Sequence, residues 1–236
     1  MEAPAARGRG RCQGLGSDAI VGPPPTLTPP PSLIPYSGLL LVLFLVLHLA
    51  GVSLALVAPA TFNTWAATLH RQPWLLPGEI VLASLLLLHP LLSLVRAQRN
   101  AAARGPLVGR RASRRSGAIE ALVAQAGRWL PFSGALLLLF LAVHLAQLRW
   151  PRPPAGAELA VLQAALAHPL SLALYAAAGV AVGLHLLHGV ESAHRSLGLL
   201  EPGNAAAIRG AGRGLALLLG AGFALVPLAL ALRGAA

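Results

Sequence analysis

Residues 37–49 read SGLLLVLFLVLHL, and residues 133–145 read SGALLLLFLAVHL. Both run Ser-Gly, five apolar residues, Phe, three apolar residues, His-Leu. Each places one imidazole ten residues after a glycine, with no other strongly polar side chain between. A run this apolar reads as a bilayer-crossing helix, which needs about 20 residues. Five such runs can be marked, at about 36–57, 77–95, 131–149, 169–192 and 214–232.

Composition agrees with a membrane domain. The 236 residues are 56% hydrophobic and 11% charged, with a mean hydropathy of +0.70. A soluble domain carries about 25% charge. Lysine is absent, so all 18 basic residues are arginine and the net charge is +11. In so apolar a chain this excess reads as loops held on the cytoplasmic side, not as a nucleic-acid surface. With the N-terminus inside, only Arg71, Arg149, Arg152 and Arg233 fall outside, 14 against 4. The C-terminus is then outside, and Trp65, Trp74 and Trp150 sit at the outer interface with Trp129 at the inner one. Residues 1–34 are rich in Pro, Gly and Arg and include GPPPTLTPPP, which cannot be helical. They are expected to form a disordered cytoplasmic tail with no signal-peptide core, leaving the first span in the membrane. Residues 35–233 form the expected membrane domain. Cys12 lies in the tail and reads as incidental, and no Cys-x-x-Cys-His exists for covalent haem attachment.

Eight histidines are present. His70, His168 and His194 fall at span edges and read as interfacial polar residues. His48, His89, His144 and His185 each lie inside a different one of the first four spans. One such residue can simply hydrogen-bond a neighbouring helix. One in each of four helices is a stronger signal, because polar groups at this depth are costly and mark function. His48 and His144 are 96 residues apart, as are His89 and His185. The Ser-Gly pairs, Phe44 with Phe140, and 97–99 with 193–195 share that offset. Two copies of a helical hairpin would produce it, and so would convergent packing.

Helix rise of about 1.5 Å per residue sorts the histidines by depth. His48 lies 13 residues past Pro35 and His144 lies 13 past Pro131, roughly 20 Å from the inner edge. His89 is seven residues before Arg96 and His185 ten before Arg195, about 10–15 Å from that edge. An outer layer thus holds His48 and His144, and an inner layer His89 and His185. Zinc usually wants four ligands, often including sulfur or carboxylate, and a proton relay wants acids that these span interiors lack. Haem needs only two axial imidazoles and fills apolar space with its own body. Gly38, Gly134 and Gly189 beside the ligands would let the porphyrin approach the backbone, or let helices pack closely. Ligation on both faces suits electron transfer.

Several elements together resemble the dihaem cytochrome b membrane anchor of succinate:quinone oxidoreductases, the succinate dehydrogenase and fumarate reductase family. They are Ser37-Gly38 to His48, Thr61-Phe62-Asn63, His89 before Arg96, Ser133-Gly134 to His144, and LHLLHGVESAHRSLG at 184–198. The resemblance covers residues 35–232. It implies five transmembrane helices, the first four forming a haem-binding bundle, in a bacterial inner membrane. It implies two b haems and a menaquinone-like substrate. It also implies two cytoplasmic partners, an FAD flavoprotein and an iron–sulfur protein. In LHLLHG, His185 is preferred over His188, because the family's ligand commonly lies four residues before the glycine, here Gly189. His48 should pair with His144 at the outer haem and His89 with His185 at the inner one. Ser37 and Ser133 are expected near the inner haem's propionates, with Arg96, Arg99 and Arg195 neutralising them. Where some members carry a membrane glutamate near the last ligand, this chain has Gly183. Glu79 is the only acid close to the outer layer; it is a candidate for quinone protonation, or simply an acid favoured at a helix start. No flavin or dinucleotide fingerprint and no soluble domain accompanies these spans, so no dicarboxylate site is expected here. The alternatives are the anchor of another quinone-linked enzyme, such as a hydrogenase or formate dehydrogenase, and a haem-free transporter or structural membrane protein.

Overall fold

The computed structural model describes residues 33–104 and 117–234, and those residues form helices and short connections with no strand. The chain runs α1 (Leu33–Val57), α2 (Pro59–His70), α3 (Leu75–Arg104), α4 (Ala118–His144), α5 (Glu158–Ala167), α6 (Pro169–Ser196) and α7 (Ala205–Gly234). One π-helical turn, Leu145–Arg149, continues α4. Five of these helices are long and apolar enough to cross a membrane, which makes the chain an integral membrane protein. Most of the proposed N-terminal tail and part of the arginine-rich connection after α3 lie outside the described residues.

The helices extend beyond the apolar runs. Leu33 and Ile34, assigned to the tail, begin α1. Helix α4 starts at Ala118 and passes through Pro131, where a span start was expected. Helix α7 starts at Ala205, nine residues before Gly214. Hydropathy marks only the apolar section, whereas backbone bonding carries a helix on into polar surroundings. Proline inside a membrane helix is tolerated because neighbours re-satisfy the freed carbonyl.

Two short helices, α2 and α5, lie outside the five apolar runs and close one end of the bundle. Helix α2 lies against α1, with the Trp65 indole seated where a Cβ on Gly51 would come within 2.7 Å. Asn63 Oδ1 accepts from Leu159 N at 2.9 Å, capping α5 from α2.

Helix–helix association in lipid depends on close packing, because lipid is as apolar as leucine. Helix α7 meets α6 through glycine. A Cβ on Gly220 would stand 2.7 Å from Gly183 Cα, and one on Gly179 would stand 2.3 Å from Ala224 N. Leu49 of α1 enters the same seam against Gly222 and joins Val182, Leu186, Val190, Ala216 and Leu219 in one core. Helix α4 packs on α6 and α3 packs on α1.

The 96-residue offset extends to α2 and α3 as elements, whereas α4 starts 11 residues earlier than α1 shifted by 96 would. Shifted by 96, α2 (59–70) becomes 155–166, against 158–167 for α5, and α3 (75–104) becomes 171–200, against 169–196 for α6. Asn63 and Leu159 are themselves 96 apart. A residue that touches its own counterpart lies on the twofold axis relating the copies. Asn63/Leu159, His48/His144 and His89/His185 all touch in this way, at successively deeper levels. The pseudo-twofold axis therefore runs along the helices through both histidine pairs. Helix α7 has no counterpart in the first copy.

Candidate cofactor site

Along the axis the imidazoles meet two by two. The His48 and His144 ring centroids are 6.0 Å apart with planes at 87°. The His89 and His185 centroids are 6.4 Å apart at 64°. A metal–imidazole bond is about 2 Å, and a ring nitrogen lies roughly 1 Å from its centroid, so two imidazoles flanking one ion have centroids about 6 Å apart. Both pairs have that separation. Each pair takes its members from different hairpins, α1 with α4 and α3 with α6.

The pair nearer the arginine-rich connection, the loop end, is held by serines. Ser37 Oγ lies 3.0 Å from His89 Nδ1 and donates to Ile34 O at 2.9 Å. In the other copy, Ser133 Oγ lies 3.2 Å from His185 Nδ1 and donates to Leu130 O at 3.0 Å. Both serines are buried. The following glycine makes room for the ring: a Cβ on Gly38 would lie 3.1 Å from His89 Cε1, and one on Gly134 3.8 Å from His185 Cε1. The repeated Ser-Gly is thus a seat for the histidine of the next membrane helix in its own hairpin. No Cβ neighbour lies within 4 Å of Gly189.

The pair nearer α2 and α5 has a different lining. Tyr175 Oη lies 3.2 Å from His144 Nδ1. Phe140 stands edge-on to the Tyr175 ring at 4.9 Å. His48 stacks against Phe44 at 5.3 Å and Phe223 at 5.8 Å. The π turn begins directly after His144, and such turns often mark functional positions. It places Gln147 on Ser171, with Gln147 Nε2 donating at 3.0 Å. It also carries Arg149 across to Glu79 of α3 in a bidentate ion pair at 2.8 and 2.5 Å. The only acid expected near this layer is therefore paired. Glu79 and Tyr175 are again 96 residues apart, equivalent positions in the two copies.

The remaining histidines stand apart from the two pairs. His188 lies one turn beyond His185, pressed on α4 where a Cβ on Gly127 would meet its Nδ1 at 2.8 Å. His70 Nδ1 is 3.9 Å from the buried Glu158, His168 leads into α6, and His194 Nδ1 lies 2.9 Å from Val190 O. Arg96 and Arg99 are exposed on the extension of α3. Arg195, also exposed, pairs with Glu191 at 2.6 Å. Among the described residues no three His, Cys, Asp or Glu side chains converge as a metal group. The chain offers imidazoles in twos.

The residues present fit a haem at each level. Each pair would offer one nitrogen from each ring to a single iron, and His144, His89 and His185 have a hydroxyl on Nδ1, the kind of outer partner that ligating histidines have. Helix α3 packs closely on α1 alone, so its flank beside the histidine pairs is open. None of its most apolar stretch is buried, against 39% of that of α6.

The chain matches no protein-family model, no curated protein and no solved structure.

Sequence reading missed Tyr175. The signal was a count: Tyr175 precedes His185 by ten residues, as Gly134 precedes His144. On antiparallel helices that makes Tyr175 level with His144. The Ser37–His89 and Ser133–His185 contacts join residues 52 apart on neighbouring helices, which spacing along one helix does not reveal.

Proposed function

We propose that this chain is the dihaem cytochrome b membrane anchor of a succinate:quinone oxidoreductase, working between an iron–sulfur partner at the loop end and a quinone, menaquinone by resemblance. The observation that carries the proposal is the meeting of four imidazoles as two pairs, each spaced for one metal ion, on one axis. Haem bound there supplies reversible one-electron transfer along the bundle. The chain's part is to present the ligands, keep them in register and exclude water. His48 and His144 present one pair and His89 and His185 the other, while Ser37, Ser133 and Tyr175 orient the rings. The apolar spans keep the path dry, and Glu79 within them is paired with Arg149. The choice of enzyme family rests on the Ser-Gly to His elements, Thr61-Phe62-Asn63 and the 184–198 run, in order along the chain. The arginine-rich loop end faces the cytoplasm, where a flavoprotein and an iron–sulfur subunit would dock.

Haem content tests this directly. The complex purified from membranes should contain two non-covalent protohaems per chain in a pyridine haemochrome assay. Zero haem in cells that make haem would refute the reading, and one would refute the two-level site. The subunits that copurify identify the enzyme: FAD and iron–sulfur proteins for this family, nickel or molybdenum proteins for the anchors of other quinone-linked enzymes.

A further inference from the structure

The serines at the loop end do more than fill space beside the rings. A serine hydroxyl has one proton to give, and a neutral imidazole carries one N–H. With the Ser37 proton given to Ile34 O at 2.9 Å, its Oγ is left as acceptor for His89 Nδ1–H across the 3.0 Å contact, the alternative being donation to Nδ1 in the other tautomer. Ser133 gives its proton to Leu130 O and, by the same logic, accepts from His185 Nδ1–H. In both rings the remaining nitrogen, Nε2, then carries a lone pair. The same arrangement occurs at equivalent positions in both copies, and the two rings face one another at 6.4 Å.

We propose that Ser37 and Ser133 are positioning residues that fix His89 and His185 in the Nδ1–H tautomer, presenting two Nε2 lone pairs to the loop-end haem and raising their basicity. This rests on the dihaem reading above. A hydrogen bond from Nδ1–H pushes electron density toward Nε2, and a more basic ligand favours the oxidised metal. Each serine therefore holds the potential of that haem down. It also spares the ring the rotational freedom that binding would otherwise have to freeze. Gly38 and Gly134 belong to the same device, because a side chain there would meet the ring that the serine holds. The other pair is built differently, with Tyr175 on His144 and phenyl rings around His48. The effect is confined to one haem.

The experiment is a redox titration, with a haem-retention assay, of the purified complex carrying Ser37→Ala or Ser133→Ala. Each variant should raise the midpoint potential of the loop-end haem and leave the other haem's potential unchanged. Haem retention at that site should weaken by about 10–100-fold, the usual cost of losing an outer-shell partner. Ser37→Thr and Ser133→Thr keep the hydroxyl and should restore both readouts. If an alanine variant does not accumulate, Ser37→Cys and Ser133→Cys decide. The thiol has similar volume but is a weak acceptor, so a smaller shift in the same direction is expected. An unchanged loop-end potential in the Ala variants, or in the Cys variants where Ala fails, overturns this inference while leaving a two-haem wild type intact. A wild type without haem overturns the functional reading instead.

Discussion

At the scale of single residues, the pairing of the imidazoles follows from counting. His48 and His144 each stand ten residues beyond a glycine, and at about 1.5 Å per residue they arrive at the same depth. His48 and His89 differ in depth and do not meet. In the proposed function the four histidines should therefore lose their haems in twos. His48→Ala and His144→Ala are each expected to remove one spectral component, and His89→Ala and His185→Ala the other, in reduced-minus-oxidised spectra. A shared phenotype of His48→Ala with His89→Ala would contradict the pairing. Loss of the loop-end haem in His188→Ala, with His185→Ala silent, would move that ligand by one turn. The depth of the histidines was legible because helix rise is fixed. Their hydrogen bonds were not: Ser37 meets His89, and Tyr175 meets His144, only once antiparallel neighbours are placed side by side.

At the scale of elements, the five spans could be read from the sequence because the membrane allows few backbone arrangements. Every buried N–H and C=O must be bonded within its own segment, so an apolar run of sufficient length is a helix. No such constraint acts at the membrane surface. Helices α2 and α5 mix apolar and polar residues and were missed there, as were the extensions of α4 and α7. Helix contacts depend on which small residues face each other, and the α6–α7 seam was equally hidden. Gly183 drew notice only for lacking a carboxylate, whereas its place in the fold is to admit Gly220. Replacing Gly220 by Val should test that seam. Its Cβ would meet Gly183 Cα at 2.7 Å, and backbone cannot rotate away as a side chain can. The helices would have to separate, at an overpacking cost of about 1–3 kcal/mol or more. Thermal denaturation in detergent should begin several degrees lower than in wild type. An unchanged midpoint would mean that α7 is held elsewhere.

At the scale of the whole molecule, the two ends differ in chemistry. The end formed by α2 and α5 carries short helices and few arginines. Among the described residues the opposite end carries Arg96, Arg99, Arg104, Arg128, Arg195, Arg209 and Arg213, and the sequence has one cysteine, Cys12. Arginine flanking short loops sets orientation because its transfer across the membrane is costly. In the proposed function the sequence count of 14 against 4 assigns the loop end to the cytoplasm, the side where soluble electron-transfer partners would bind. Cysteine labelling can decide this without a structure. In intact cells a membrane-impermeant maleimide should leave the native Cys12 unreacted until lysis. Ala155→Cys, in the exposed connection before α5, should react at once in a Cys12→Ser background. Crosslinks to an iron–sulfur subunit should then arise from the arginine-rich connection between α3 and α4 and not from the α2 or α5 end. If Ala155→Cys is protected and Cys12 labelled, the orientation is inverted. The partner would then have to meet α2 and α5, and the serine-held pair would be the one farther from it.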